Sequence, residues 1–193
     1  MRAADRSWSA ASTGLFLSVI LVVVAAGAWW PSAASAPAAD AATHVRRVEL
    51  PSAGYASEVG TMAIADAGVI DPPDFVRTWW IEDRGVAPSS RATDTTYLAC
   101  HTDSARPAAA VPCNAVQIED VPPGSKVLVE TDTEQLSYTV VQARKVPRDE
   151  FADDPEVWDV NPGRLVWVSC YLSEGRRTDF NVVVIAELDR PAT

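Results

Sequence analysis

Basic residues are in short supply: 16 Lys and Arg stand against 26 Asp and Glu, a formal net charge of −10. Sequence-independent nucleic-acid binding rests on Lys and Arg neutralising phosphates, and no basic stripe offsets the deficit, so that class of function is excluded. Histidine and cysteine are scarcer, two and three among 193 residues. Neither Cys-x-x-Cys nor His-x-x-x-His spacing occurs among them, which removes the common zinc sites. Also missing is any long segment with an apolar period of 3.6 residues, and with it a helical body. What the chain does have, 48% apolar residues and seven Trp, suffices for a buried core. Once the N-terminus is set aside, about 150 residues remain, enough for one domain.

Arg2 and Arg6 precede an uncharged apolar run, GLFLSVILVVVAAGAWW, over residues 14–30. At ~1.5 Å per residue a helix of that length covers roughly 25 Å, slightly short of a ~30 Å hydrocarbon core unless residues 10–13 join it. Arginine before the run sets residues 1–13 in the cytoplasm, and Trp29 and Trp30 suit the far interface. The expectation is a single-pass signal-anchor at 14–30 with the remainder outside the cytoplasm. Small residues in PSAASAPAA offer cleavage positions, so a removable signal peptide is the alternative, and it too exports the domain. Residues 31–44, rich in Pro, Ala and Ser, read as a linker, with His44 a solvated member of it. The folded domain is expected over 45–190.

There, short β-branched runs alternate with turn residues: VRRVEL, TTYLACHT, KVLVET, LSYTVVQARKV, RLVWVSC and NVVVIAEL. They predict six visible strands in a mainly β, closed or half-closed barrel. The clearest hairpin joins residues 126–130 to 135–146 across TDTE, after the break at Pro122, Pro123 and Gly124. Short helices are expected around 73–80 and 147–154.

Exported cysteines usually pair, so three leave one over. Cys100 and Cys113 flank a Pro/Ala-rich loop, HTDSARPAAAVP, that could fold back and join them, which makes Cys170 the odd thiol. A free cysteine is often only a small buried hydrophobe. Cys170, however, ends the apolar run LVWVSC before the polar stretch YLSEGRRTD, where a rigid strand presents a side chain to solvent. His101 ends TTYLACH, and strand alternation turns it to the face opposite Cys100.

Taken together, TTYLACHT, VPPGSKVLVET, LVWVSC and RRTDFNVVVIAEL resemble the motifs of the sortase family over roughly residues 48–188, most similar to its small class F-type members. Two departures leave every reacting group in place: Cys100 stands where Gly commonly precedes the histidine, and Ser169, a conservative change that keeps the hydroxyl, where Thr precedes the cysteine. The resemblance implies a barrel of about eight strands and a transpeptidase that cuts a sorting signal similar to LPxTG and joins the Thr carbonyl to an amine. The implied partners are surface proteins bearing that signal and a cell-wall precursor or protein amine acceptor; no cofactor and no metal are implied. Cys170 would be the nucleophile and His101 the acid/base. The arginine would be Arg177, whose parity matches Asn181 in a regular strand, with Arg176 the alternate should a bulge intervene.

By the same resemblance residues 147–163 contribute to the substrate groove, and Phe151, Trp158 and Trp167 are the apolar candidates for contact with the peptide; a solvated acidic loop with two core anchors is the equal alternative for 147–163. The acidic residues Asp149, Glu150, Asp153 and Asp154 have no liganding pattern and read as a solvated face rather than a calcium site. Two rival functions are compatible with these residues. One is a non-catalytic tethered barrel linked through a Cys170 disulfide, the other a cysteine hydrolase of surface peptides.

Overall fold

A computed structural model describes residues 43–65 and 68–189. The expected anchor at 14–30 and most of the linker at 31–44 lie outside the described residues. Among the described residues no helix is long and apolar enough to cross a membrane.

Eight strands close into a barrel: β1 (Val45–Leu50), β2 (Tyr55–Met62), β3 (Thr78–Gly85), β4 (Thr96–Ala99), β5 (Lys126–Thr131), β6 (Gln135–Pro147), β7 (Arg164–Ser173) and β8 (Arg176–Leu188). Their order around the barrel is β1-β2-β3-β4-β7-β8-β6-β5, with β5 returning to β1. Two neighbours, β2–β3 and β4–β7, run parallel, and the rest antiparallel.

Each of the six predicted runs carries a strand, TTYLACHT only over Thr96–Ala99, and the β5–β6 hairpin forms with Lys126 opposite Thr139 and Glu130 opposite Gln135. Its turn is held by Thr131, whose Oγ1 accepts from the backbone N–H of Thr133 and Glu134 at 3.2 and 2.9 Å. Two strands were not foreseen. In β2 the run YASEVGTM is weakly apolar and broken by Gly60, yet that glycine belongs to the strand. A Cβ there would stand 2.6 Å from the Trp79 ring, so only Gly lets β2 and β3 meet. In β3 the expectation of a helix around 73–80 is corrected. The Asp74 carboxylate accepts from the N–H groups of Val76 and Arg77 at 3.0 and 2.9 Å, closing a local turn instead of a helix. Buried Thr78, Trp79 and Trp80 then continue as strand. The second expected helix falls a few residues late, as a 3-10 turn at Phe151–Asp153 and the short α1 (Pro155–Trp158). Pro155 starts α1, and the Asp154 side chain caps it by accepting from Glu156 N–H at 3.0 Å.

Alternation divides the core in two. Leu98, Leu165, Trp167, Val182, Val184 and Ala186 belong to the larger cluster, with Val48, Val127 and Tyr138. Their neighbours Tyr97, Ala99, Val166, Val168, Val183 and Ile185 form a second cluster with Val157, against which Ile70, Phe151 and Trp158 pack. Both faces of β4, β7 and β8 are therefore covered, which explains why NVVVIAEL reads as a continuous apolar run rather than an alternating one.

Candidate active site

The pairing of β4 with β7 sets the site. Ala99 lies level with Val168 in a parallel register, Cys100 N–H bonds to Val168 O at 3.1 Å, and Thr102 Oγ1 donates to Cys170 O at 2.9 Å. The chain after β4 is thus tied alongside β7 at the level of Cys170. Along β4 and its continuation, residues 97, 99 and 101 share one face. Along β7, residues 166, 168 and 170 share the same face, that of the second cluster. His101 and Cys170 both open onto a cleft of about 340 Å³ with Arg177, Asn181, Arg148 and Phe151 in its walls. An adjoining hollow of about 480 Å³ is also lined by His101, Cys170 and Arg177, with Asp71 and Phe75 on its other side.

Cys170 is half-buried and is the one free cysteine among the described residues. Cys100 and Cys113 are joined as a disulfide, their Cα atoms 6.1 Å apart, with both side chains in the larger cluster. The expectation that Cys170 ends its strand is corrected. β7 continues through Tyr171, whose hydroxyl donates to Glu119 at 3.2 Å, and Leu172, whose N–H donates to Gln117 Oε1 at 3.0 Å. The stretch YLSEGRRTD is a hairpin rather than a loop. Glu174 and Gly175, with φ of 50° and 70°, make its two-residue turn, and positive φ at both positions suits the twist of the flanking strands.

Cys170 sits where that hairpin is irregular. It faces Asn181, but Leu172 already faces Arg177, so β8 spends four residues where β7 spends two. The two extra residues preserve parity, so this bulge leaves Arg177 with Asn181 in the cleft. Arg176 projects to solvent beside Glu174, at 3.3 Å.

Of the three apolar candidates, Phe151 lines the cleft. Trp158 stands behind it, edge-on to Phe151 and stacked on Tyr97, its Nε1 donating to Phe151 O at 2.7 Å. Trp167 is corrected outright. It has 0% exposure inside the barrel, packs against Tyr55 with centroids 5.2 Å apart, and sends its Nε1–H toward Cys100 Sγ at 3.2 Å. Its odd number, against 166, 168 and 170, assigns it to the other face of β7. Ser169, expected to keep a hydroxyl beside the cysteine, is buried and donates to Val116 O at 3.3 Å.

Three neighbours of the site were not foreseen. Asp71 Oδ1 lies 3.3 Å from His101 Nε2, and Phe75 stacks on the imidazole. The third is Arg148, which no sequence signal separates from the acidic residues that follow it. The only sequence signal for the first two is DPPDF, whose prolines and Asp74 mark a rigid turn placed to carry them.

No protein-family model matches this sequence, and no curated protein does. The closed eight-stranded mixed barrel defines a class of architecture that solved structures match. Sortase A of Listeria monocytogenes shares 18% identity with the chain over 77% of it and 88% of the sortase, with a TM-score of 0.54. Streptococcus agalactiae sortase C1, solved in complex with MTSET, shares 14% over 77% and 71%, with a TM-score of 0.55. Sortase C from Clostridium perfringens SM101 shares 13% over 77% and 71%, with a TM-score of 0.53. The fold of this chain is the sortase fold. At such identities the likeness does not select among sortase classes.

Proposed function

We propose that this chain is a sortase-type cysteine transpeptidase working outside the cytoplasm, tethered through residues 14–30. One observation carries the reading: the free thiol of Cys170 shares a cleft with His101 and Arg177 on a sortase fold. A disulfide at Cys100–Cys113 accords with an oxidising compartment.

In this reading the Cys170 thiolate adds to the Thr carbonyl of a sorting signal similar to LPxTG. Negative charge then develops on the carbonyl oxygen, and the guanidinium of Arg177 supplies N–H donors to it. His101 gives a proton to the departing Gly amine as the C–N bond breaks, leaving a thioacyl enzyme. An incoming amine attacks the thioester, His101 accepts the proton it sheds, and the Cys170 thiolate departs. Nucleophile, acid/base and charge stabiliser come from β7, the end of β4 and β8.

The test is a quenched-fluorescent LPxTG-type peptide incubated with the protein and with Cys170→Ala, with and without an amine acceptor. Cleavage lost in the variant and an adduct formed with the amine support the transpeptidase. Release of the free acid alone, with acceptor present, replaces it with a hydrolase.

A further inference from the structure

Arg148 follows β6 at the first corner of a turn in which Glu150 N–H bonds to Pro147 O at 3.2 Å, and its own N–H bonds to Asp179 O of β8 at 3.0 Å. The backbone is thus pinned beside the irregular start of β8, and Arg148 lines the cleft together with Cys170, Arg177 and Asn181. Its Nε and Nη2 are both shielded from solvent and have no hydrogen-bond partner among the described residues. Asp149, Glu150, Asp153 and Asp154 cluster on the next stretch of chain, yet none pairs with it, whereas Asp154 instead holds Arg144 at 2.6 Å.

A guanidinium stays charged, and leaving its donors dry and unpaired is costly, more so than for a neutral group. Nε and Nη2 form one edge of the guanidinium plane, with two parallel N–H bonds spaced to meet both oxygens of a carboxylate. Arg177 is exposed and needs no such partner to satisfy it. Resting on the transpeptidase reading, we infer that Arg148 is a substrate-binding residue whose Nε/Nη2 edge, once the side chain turns toward the cleft, takes a carboxylate of the peptide lying beside Cys170. The two sources of that carboxylate are an acidic side chain on the residue before the scissile Thr and the terminal carboxylate of a cleaved product.

The first experiment needs no turnover. With Cys100 and Cys113 bonded, Cys170 is the thiol that alkylates, and mass spectrometry follows it in the full-length protein with iodoacetate and with iodoacetamide. In both reactions the thiolate displaces iodide and forms an S–C bond; only iodoacetate carries a carboxylate. Arg148→Met lowers the ratio of the two rates by about tenfold, the worth of a charge-assisted hydrogen bond, while Arg148→Lys, which keeps charge but not the fork, lowers it less. A ratio within twofold of wild type in folded Arg148→Met overturns the inference. Should that variant fail to fold, an unchanged ratio in Arg148→Lys does so.

Peptides then separate the sources. Faster cleavage of LPETG than of LPQTG, lost in Arg148→Met, assigns the carboxylate to a side chain. Stronger inhibition by a peptide acid ending at Thr than by its amide, lost in the same variant, assigns it to the product. If the protein cleaves no peptide, the transpeptidase reading fails, and the alkylation ratio still decides whether Arg148 binds a carboxylate.

Discussion

The ring of Phe75 lies face to face with the imidazole of His101, centroids 4.6 Å apart and planes 24° from parallel. Arg106 stands over the Phe75 ring, 4.2 Å from its centroid. Asp71, four residues before Phe75, meets Nε2 of the same imidazole, so one short segment occupies both a face and a nitrogen of the acid/base candidate.

Where a peptide displaces that segment to reach His101, the stack on the imidazole is lost. An aromatic stack contributes about 0.5–1.5 kcal/mol beyond area burial, so Phe75→Ala raises kcat/KM for peptide cleavage by about two- to tenfold. A fall of that size would instead make Phe75 a positioning residue for the imidazole.

The two adjacent arginines differ in what they reach. Arg177→Ala lowers kcat/KM by about a hundredfold, as loss of an oxyanion donor does. Arg176→Ala, which breaks only an exposed pair with Glu174, changes it by less than about twofold. Equal losses in steady-state kinetics would refute the assignment.

Reduction of the Cys100–Cys113 disulfide releases a loop of 13-residue separation that begins at His101. Chain entropy assigns such a closure about 3 kcal/mol. Paired Ser variants are therefore expected to lose about 2–4 kcal/mol in urea unfolding, together with cleavage activity, because the histidine loses its anchor.

Trp167→Ala removes a fully buried indole from the barrel interior and costs about 3–5 kcal/mol. Trp158→Ala, on the partly buried outer cluster, costs less. Under conditions where both variants remain folded, neither raises KM as much as Phe151→Ala, since only Phe151 lines the cleft.

At the end of β8, burial works to raise the Asp189 carboxyl. Hydrogen bonds from Lys126, Ser137 and Thr139 and the charge of Lys126 outweigh it and hold the group below its ordinary value. A depressed carboxyl stabilises the fold above its unfolded pKa of about 3.9, and that contribution fades as pH falls through the lower folded value. Asp189→Asn therefore lowers Tm at pH 7 and flattens the decline of Tm below about pH 4, as scanning calorimetry across pH would record.

Six strands were legible because each carries a dense β-branched run bounded by Pro, Gly or Asp. The other two were not, for opposite reasons. In β2 a required close approach to Trp79 places Gly60 where a strand former is expected, and β3 follows a Pro-rich turn that mimics a helix start. The candidate site was legible as residue types, Cys170 in an apolar strand, His101 just after another and one of two arginines. Trp167 was misplaced because a tryptophan three residues from a cysteine looks close in sequence, while alternation sends the two to opposite faces of β7.

Local chemistry therefore determined a mainly β chain, its main hairpin and a loop between Cys100 and Cys113 able to close. Tertiary structure alone decided that His101 and Cys170, 69 positions apart, share one cleft, because a parallel β4–β7 pairing is a long-range contact no local pattern encodes. It also put Arg177 rather than Arg176 in the cleft wall. A two-residue excess in β8 preserves parity where a single extra residue would have reversed it, and only the register against β7 reveals which is present.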